Sequence, residues 1–91
     1  MDIIYWTGYC NRERVEALTE IEKYIKNHAF LMDFKSFSGN SVSFIIEIDE
    51  AKLNALYNEL KGYMRMDEFE MPDSNVKREC VVLFNLAFVS K

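Results

Sequence analysis

The segment Cys80–Val89 reads CVVLFNLAFV, apolar at every position but Asn85. It is the strongest strand signal in the chain. Both parities are apolar, so whichever face turns outward carries either Val81, Leu83, Ala87 and Val89, or Val82, Phe84, Leu86 and Phe88. Before it, Pro72-Asp73-Ser74-Asn75 is a turn signal. Residues 64–71 are the hardest to place and are taken as a short extra strand, a hairpin partner at one edge.

Further toward the N-terminus the apolar period changes. Leu53, Leu56, Tyr57, Leu60 and Tyr63 recur at helical spacing, with Asp49 as N-cap and Gly62 as a C-terminal stop. Ahead of that helix, two runs alternate. In Val42–Ile48, Val42, Phe44, Ile46 and Ile48 oppose Ser43, Ile45 and Glu47. In Ala29–Phe37, Phe30, Met32 and Phe34 share one face, with Asp33 and Lys35 on the other. Ser38-Gly39-Asn40-Ser41 joins the runs as a β-hairpin. A first helix carries the stripe Val15, Leu18, Ile21 and Ile25, widened by Ala17 and Tyr24. Asn11 is its expected N-cap and Asn27-His28 its end. Glu22 and Lys26 form an i,i+4 pair on its outer side. Ile3–Thr7 is a short first strand, and Gly8 supplies the turn out of it.

The order is thus βαββαβ. With right-handed crossovers, that order resembles the ferredoxin-like sandwich along the whole chain. The resemblance implies an α+β fold with a four-stranded antiparallel sheet and both helices on one face. It carries no family motif and no chemistry, since this architecture hosts many unrelated functions. The length of 91 residues suits a single domain spanning 1–91, expected to be the whole or the N-terminal part of a slightly longer chain. An apolar fraction of 49% and an aromatic fraction of 14% are enough for a core without staples.

Composition narrows the functions. The net charge is −4, which disfavours phosphate backbones and anionic membranes as partners. The densest basic stretches, Arg12–Arg14 and Lys77–Arg78, each have a glutamate beside them. Ile3–Trp6 is too short for a signal core or a membrane span, so a cytoplasmic location is expected. Cys10 and Cys80 are two thiols rather than a disulfide framework, and could pair only if the first and last strands were neighbours.

Chemical motifs are sparse. One histidine and no CxxC or HxxxH leave no expected metal site and no cofactor. Asp67, Glu68, Glu70 and Asp73 lack the glycine and the spacing of a calcium loop. Gly8, Gly39 and Gly62 fall in separate turns, so no phosphate loop forms. Ile4–Tyr9 faintly resembles the first-strand motif of RNA-recognition domains, which share this topology. Ser41–Ile45, however, lacks the basic residue and glycines those domains need on the third strand.

Parity then points to a surface. Ser43 and Glu47 mark the helix-free face of the third strand and leave Ile45 there; Asp33 and Lys35 mark it on the second. The first strand shows there either Tyr5 or Ile4 with Trp6. An apolar face of this kind usually marks an interface. The expected function is a non-catalytic interaction or regulatory domain that forms a homodimer or meets another protein. The interface would use the open face, with Ile45, Val81, Leu83, Ala87 and Val89, or the edge of the last strand. Two alternatives stay open. A small-molecule sensor would use Thr7-Gly8 as its binding turn. A dimeric α+β-barrel enzyme would gather Tyr5, His28, Tyr57 and Asn85 in a pocket between sheet and helices.

Overall fold

The structure is a computed structural model and describes residues 2–69 and 78–89. The turn expected at 72–75 and the end of the strand expected at 64–71 lie outside the described residues. The elements are β1 (Asp2–Cys10), α1 (Arg14–His28), β2 (Phe30–Ser38), β3 (Ser41–Asp49), a 3₁₀ turn (Glu50–Lys52), α2 (Leu53–Tyr63), β4 (Arg65–Met66) and β5 (Glu79–Phe88). The strands form one five-stranded sheet in the order β2-β3-β5-β1-β4.

The sheet is mixed, not four-stranded and antiparallel. β5 runs parallel to β1 from Asp2↔Cys80 to Cys10↔Phe88, and antiparallel to β3 from Ser41↔Ala87 to Asp49↔Glu79. The last strand therefore lies at the centre of the sheet, and both of its hydrogen-bonding edges are used. The free edge expected there does not exist. A strand apolar on both parities fits this place, because its inner side chains meet the helices while the backbone is satisfied on both sides. The edge beside β1 is taken by β4, whose two residues pair as Gly8↔Met66 and Tyr9↔Arg65. Within the stretch expected as an extra strand, only these two residues are strand among the described ones.

Burial alternates along β1, β3 and most of β5. Ile4, Trp6 and Cys10 of β1, Val42, Phe44, Ile46 and Ile48 of β3, and Cys80, Val82, Phe84 and Leu86 of β5 all point inward. They share one core with Ala17, Ile21 and Ile25 of α1 and with Leu53, Leu56, Tyr57 and Leu60 of α2. Both helices thus cover the same sheet face, as expected. Trp6 stands at the middle, with the rings of Tyr57, Phe69 and Phe84 edge-on to it. Phe84 stacks on Phe44 at 5.5 Å. Such aromatic pairs add to the burial of area itself.

Local details depart from the sequence expectations at several points. The stripe of α1 is Ala17, Ile21 and Ile25, a strict i,i+4 repeat, and Val15 is exposed. The helix starts later than Asn11 would place it: Glu13 is the N-cap, its Oε2 accepting from the Glu16 amide at 2.7 Å. Asp49 makes no side-chain cap, because a 3₁₀ turn separates it from α2. No described residue has a positive φ. Gly62 therefore ends nothing; both helices stop where the chain turns extended, at Ala29 and Met64. The Glu22–Lys26 pair is present at 2.7 Å.

The most consequential departure is in β2. Its register against β3 shifts between Leu31 and Asp33, and again between Ser36 and Ser38. Each irregularity breaks the alternation. Leu31 and Phe34 face the same side as buried Ile46 and Phe44, while Phe30 lies opposite Glu47 and is exposed with Met32. The expected set of Phe30, Met32 and Phe34 on one buried face is thus divided.

Candidate functional site: the helix-free sheet face

Inward Ile4 and Trp6 force Ile3, Tyr5, Thr7 and Tyr9 onto the other side of β1, because side chains alternate along a strand. The same step puts Ser41, Ser43, Ile45 and Glu47 of β3 and Val81, Leu83, Asn85 and Ala87 of β5 on that face. Register then arranges them in rows across the sheet. One row is Ile3–Val81–Glu47–Phe30. The next is Tyr5–Leu83–Ile45–Asp33, and the third is Thr7–Asn85–Ser43–Lys35.

The first two rows hold a contiguous apolar patch. Ile3 and Tyr5 are 56% and 66% exposed, and Ile45, Val81 and Leu83 are half-buried by one another. The third row is polar throughout. Asp33 and Glu47 supply negative charge at the β2 side of the patch, and Lys35 supplies positive charge beside them. Apolar surface rimmed by both signs of charge has the composition of a docking face: water is excluded at the centre and orientation is set at the rim.

Of the interface residues expected from sequence, Ile45, Val81, Leu83 and Ala87 share this face. Val89 follows the end of β5; its amide donates to the Cys10 carbonyl at 2.9 Å. Ile3 and Phe30 were not among the expected residues and join the face here, with exposed Met32 unpaired between Leu31 and Asp33. Ile3 follows from parity once Trp6 is known to be inside. The place of Phe30 depends on the bulge and carries no sequence signal.

The four polar candidates are not gathered in one pocket: only Tyr5 and Asn85 are neighbours. Tyr5 and Asn85 lie on the open face in adjacent rows, diagonal to each other across the β1–β5 ladder. Tyr57 is buried between α2 and the sheet, its hydroxyl donating to the Asp67 carbonyl at 2.8 Å. Burial raises its pKa first, and the charges of Glu68 and Asp67 add to the rise. His28, at the C-terminal end of α1, meets Glu59 of α2 at 2.7 Å and so ties the two helices together. It also lines an open cleft of about 300 Å³ with Lys26, Lys52, Glu47, Asp49 and Glu79, where charges of both signs are mixed.

Gly8 makes no turn: β1 continues through it to Cys10. A Cβ there would stand 2.8 Å from the Met64 Sδ, 2.9 Å from the Met66 Sδ and 3.0 Å from the Phe84 Cε1. The space above Gly8 is filled by these side chains, so it offers no cradle for a ligand. Cys10 and Cys80 are both buried on the helix side but sit at opposite ends of the β1–β5 ladder. Eight residue steps separate them, about 26 Å at the usual strand rise, far beyond disulfide reach.

Among the described residues, no group of three or more His, Cys, Asp or Glu side chains could hold a metal ion. Among those residues too, no helix is long and apolar enough to cross a membrane. Comparison with known proteins found no matching family model, no matching curated protein and no matching solved structure.

Proposed function

We propose that this chain is a non-catalytic interaction or regulatory module that forms a homodimer by packing its helix-free sheet face against that of a second copy. The observation that carries this is the cross-strand patch Ile3, Tyr5, Ile45, Val81 and Leu83. Four strands of nine or ten residues span a face of about 30 Å by about 19 Å at standard strand rise and spacing. That is about 600 Å² before side-chain relief is counted, close to the roughly 800 Å² per partner of a stable interface. A two-fold axis over the patch sets apolar rows against apolar rows and leaves Asp33, Lys35 and Glu47 at the rim.

The fold itself is taken as a ferredoxin-like βαββαβ unit, β1-α1-β2-β3-α2-β4, with β5 inserted between β3 and β1. Two buried thiols with no disulfide reach suit a reducing, cytoplasmic setting.

Neighbouring residues of β5 provide the test. Val82 is fully buried and Leu83 lies on the open face. Val82→Glu places a charge in the core and is expected to unfold the chain. Leu83→Glu is expected to keep the circular dichroism and melting of a folded domain while lowering the solution mass by light scattering. A folded Leu83→Glu variant whose mass matches the parent across a concentration series would defeat the proposal, and so would a parent that stays monomeric.

A further inference from the structure

β2 is the outer strand on its side of the sheet, and among the described residues no strand pairs with its outer edge. It is long, and it exposes Phe30, Met32, Phe34 and Phe37. The Phe34 amide is turned away from β3: it donates to the Oδ1 of its own neighbour Asp33 at 2.8 Å. Between the two register shifts lies one regular stretch, Asp33–Ser36, opposite Ile45–Val42 of β3. Edge strands of this kind are templates for a further strand, and the flanking irregularities limit where one can add.

We infer that the outer edge of β2 pairs antiparallel with β2 of a second copy about a two-fold axis through Phe34. Charge selects this register. With the axis at Phe34, the outward amide and carbonyl of Phe34 face those of its counterpart. Asp33 then lies directly across from Lys35 of the second copy, and Lys35 from its Asp33. Opposite charges sit across the ladder twice, in pairs whose side chains approach most closely. Moving the axis to Lys35 sets lysine across from lysine, and moving it to Asp33 sets aspartate across from aspartate. Both alternatives are like-charge pairs and destabilising. The Asp33 carboxylate, which holds the Phe34 amide in the single chain, exchanges that amide for the lysine when the second strand arrives.

This contact uses the strand edge rather than the sheet face, but Asp33 and Lys35 stand at the rim of both, so the chain carrying Leu83→Glu is the background that decides it. The edge pairing joins two sheets side by side into one of ten strands, and the open faces remain available. A chain using both surfaces would assemble beyond a dimer, as a closed tetramer where the two axes intersect and as an open chain where they do not.

The test uses charge complementation, read as solution mass by sedimentation velocity at low ionic strength. It is run on the full chain and on the full chain carrying Leu83→Glu, which removes the face contact. Asp33→Lys alone and Lys35→Asp alone each replace two opposite-charge pairs with two like-charge pairs. Each is expected to weaken edge association about tenfold or more, a decade being 1.4 kcal/mol. Mixing the two variants restores both opposite-charge pairs, so the mixture should associate where neither component does. Both positions are exposed, and melting temperatures close to the parent's will show that the folds are intact. The inference is overturned if either variant alone assembles like its parent, or if the mixture associates no better than its components. It is also overturned if the Leu83→Glu chain is monomeric throughout while the full chain is a dimer. If Leu83→Glu leaves the mass unchanged, the face proposal fails, and the mixing experiment still decides the edge.

Discussion

Replacing Gly8 with alanine adds a single methyl group at the tightest point of the β1 ladder. The new Cβ would stand 2.8 and 2.9 Å from the sulfurs of Met64 and Met66 and 3.0 Å from Phe84 Cε1. One methionine could swing away. All three neighbours cannot, because Phe84 is fully buried and stacked on Phe44. Over-packing of this kind costs about 1–3 kcal/mol. Against it stands the gain from removing a glycine from a strand interior, about 0.5–1 kcal/mol through lower chain entropy. The net expectation is a loss of about 1–2 kcal/mol, from a total of about 5–13 kcal/mol for a chain this long. In a small domain each kcal/mol moves the midpoint by about 4–8 °C, so Tm should fall by about 4–16 °C. Thermal melts by circular dichroism, with urea titrations as a second probe, give both numbers. Truncating Met66 to alanine opens space beside the new methyl, so the double variant should be more stable than the sum of the single losses predicts. A Gly8→Ala chain that melts at or above the parent temperature would refute the packing argument and reopen Gly8 as a site with room for a ligand.

Two further outcomes follow from single contacts. Glu13→Ala removes the side-chain cap of α1 and should cost about 1 kcal/mol in a urea melt, with most of it recovered by Glu13→Ser. The Tyr57 hydroxyl is held above the ordinary phenol value of 10.0 by burial first and by the Glu68 and Asp67 charges next. The folded state therefore keeps this proton where the unfolded state loses it, and the stability so gained is lost as pH rises past 10 through the folded-state pKa. Tyr57→Phe should flatten the fall in stability between neutral and alkaline pH in urea melts. A fall as steep as the parent's would show that Tyr57 does not carry it.

Part of the open face follows from sequence parity. On β3, Ser43 and Glu47 are polar between apolar neighbours, so parity alone puts Ile45 on the open face and Phe44 in the core. Leu53, Leu56, Tyr57 and Leu60 bury together because helical spacing allows one solution. Other features escaped for identifiable reasons. Gly8 reads as a turn by residue type, although Tyr9 and Cys10 continue the strand and the glycine is there to admit two methionine sulfurs. Val15 fits the stripe of α1 by spacing, yet it lies in the first turn and is exposed, and the i,i+4 set starting at Ala17 packs instead. In β2, an irregularity beside Met32 moves Phe30 to the other face, and one unpaired residue is enough to do so.

The division between the two levels of information is sharpest at β5. The run CVVLFNLAFV by itself determined that a strand forms and that both of its faces meet something apolar or become an interface. Strand formation and side-chain parity are local properties, set by residue types a few positions apart. Which strands flank that run is not local. The choice between an antiparallel edge and a central place parallel to β1 depends on ladders formed with residues about 40 and nearly 80 positions away, and on which arrangement covers Val82, Phe84 and Leu86 with both helices. Only the tertiary structure decided it. The central place follows because there the most apolar strand has its backbone paired on both edges, one side-chain set in the core, and Val81 and Leu83 in the middle of the exposed patch.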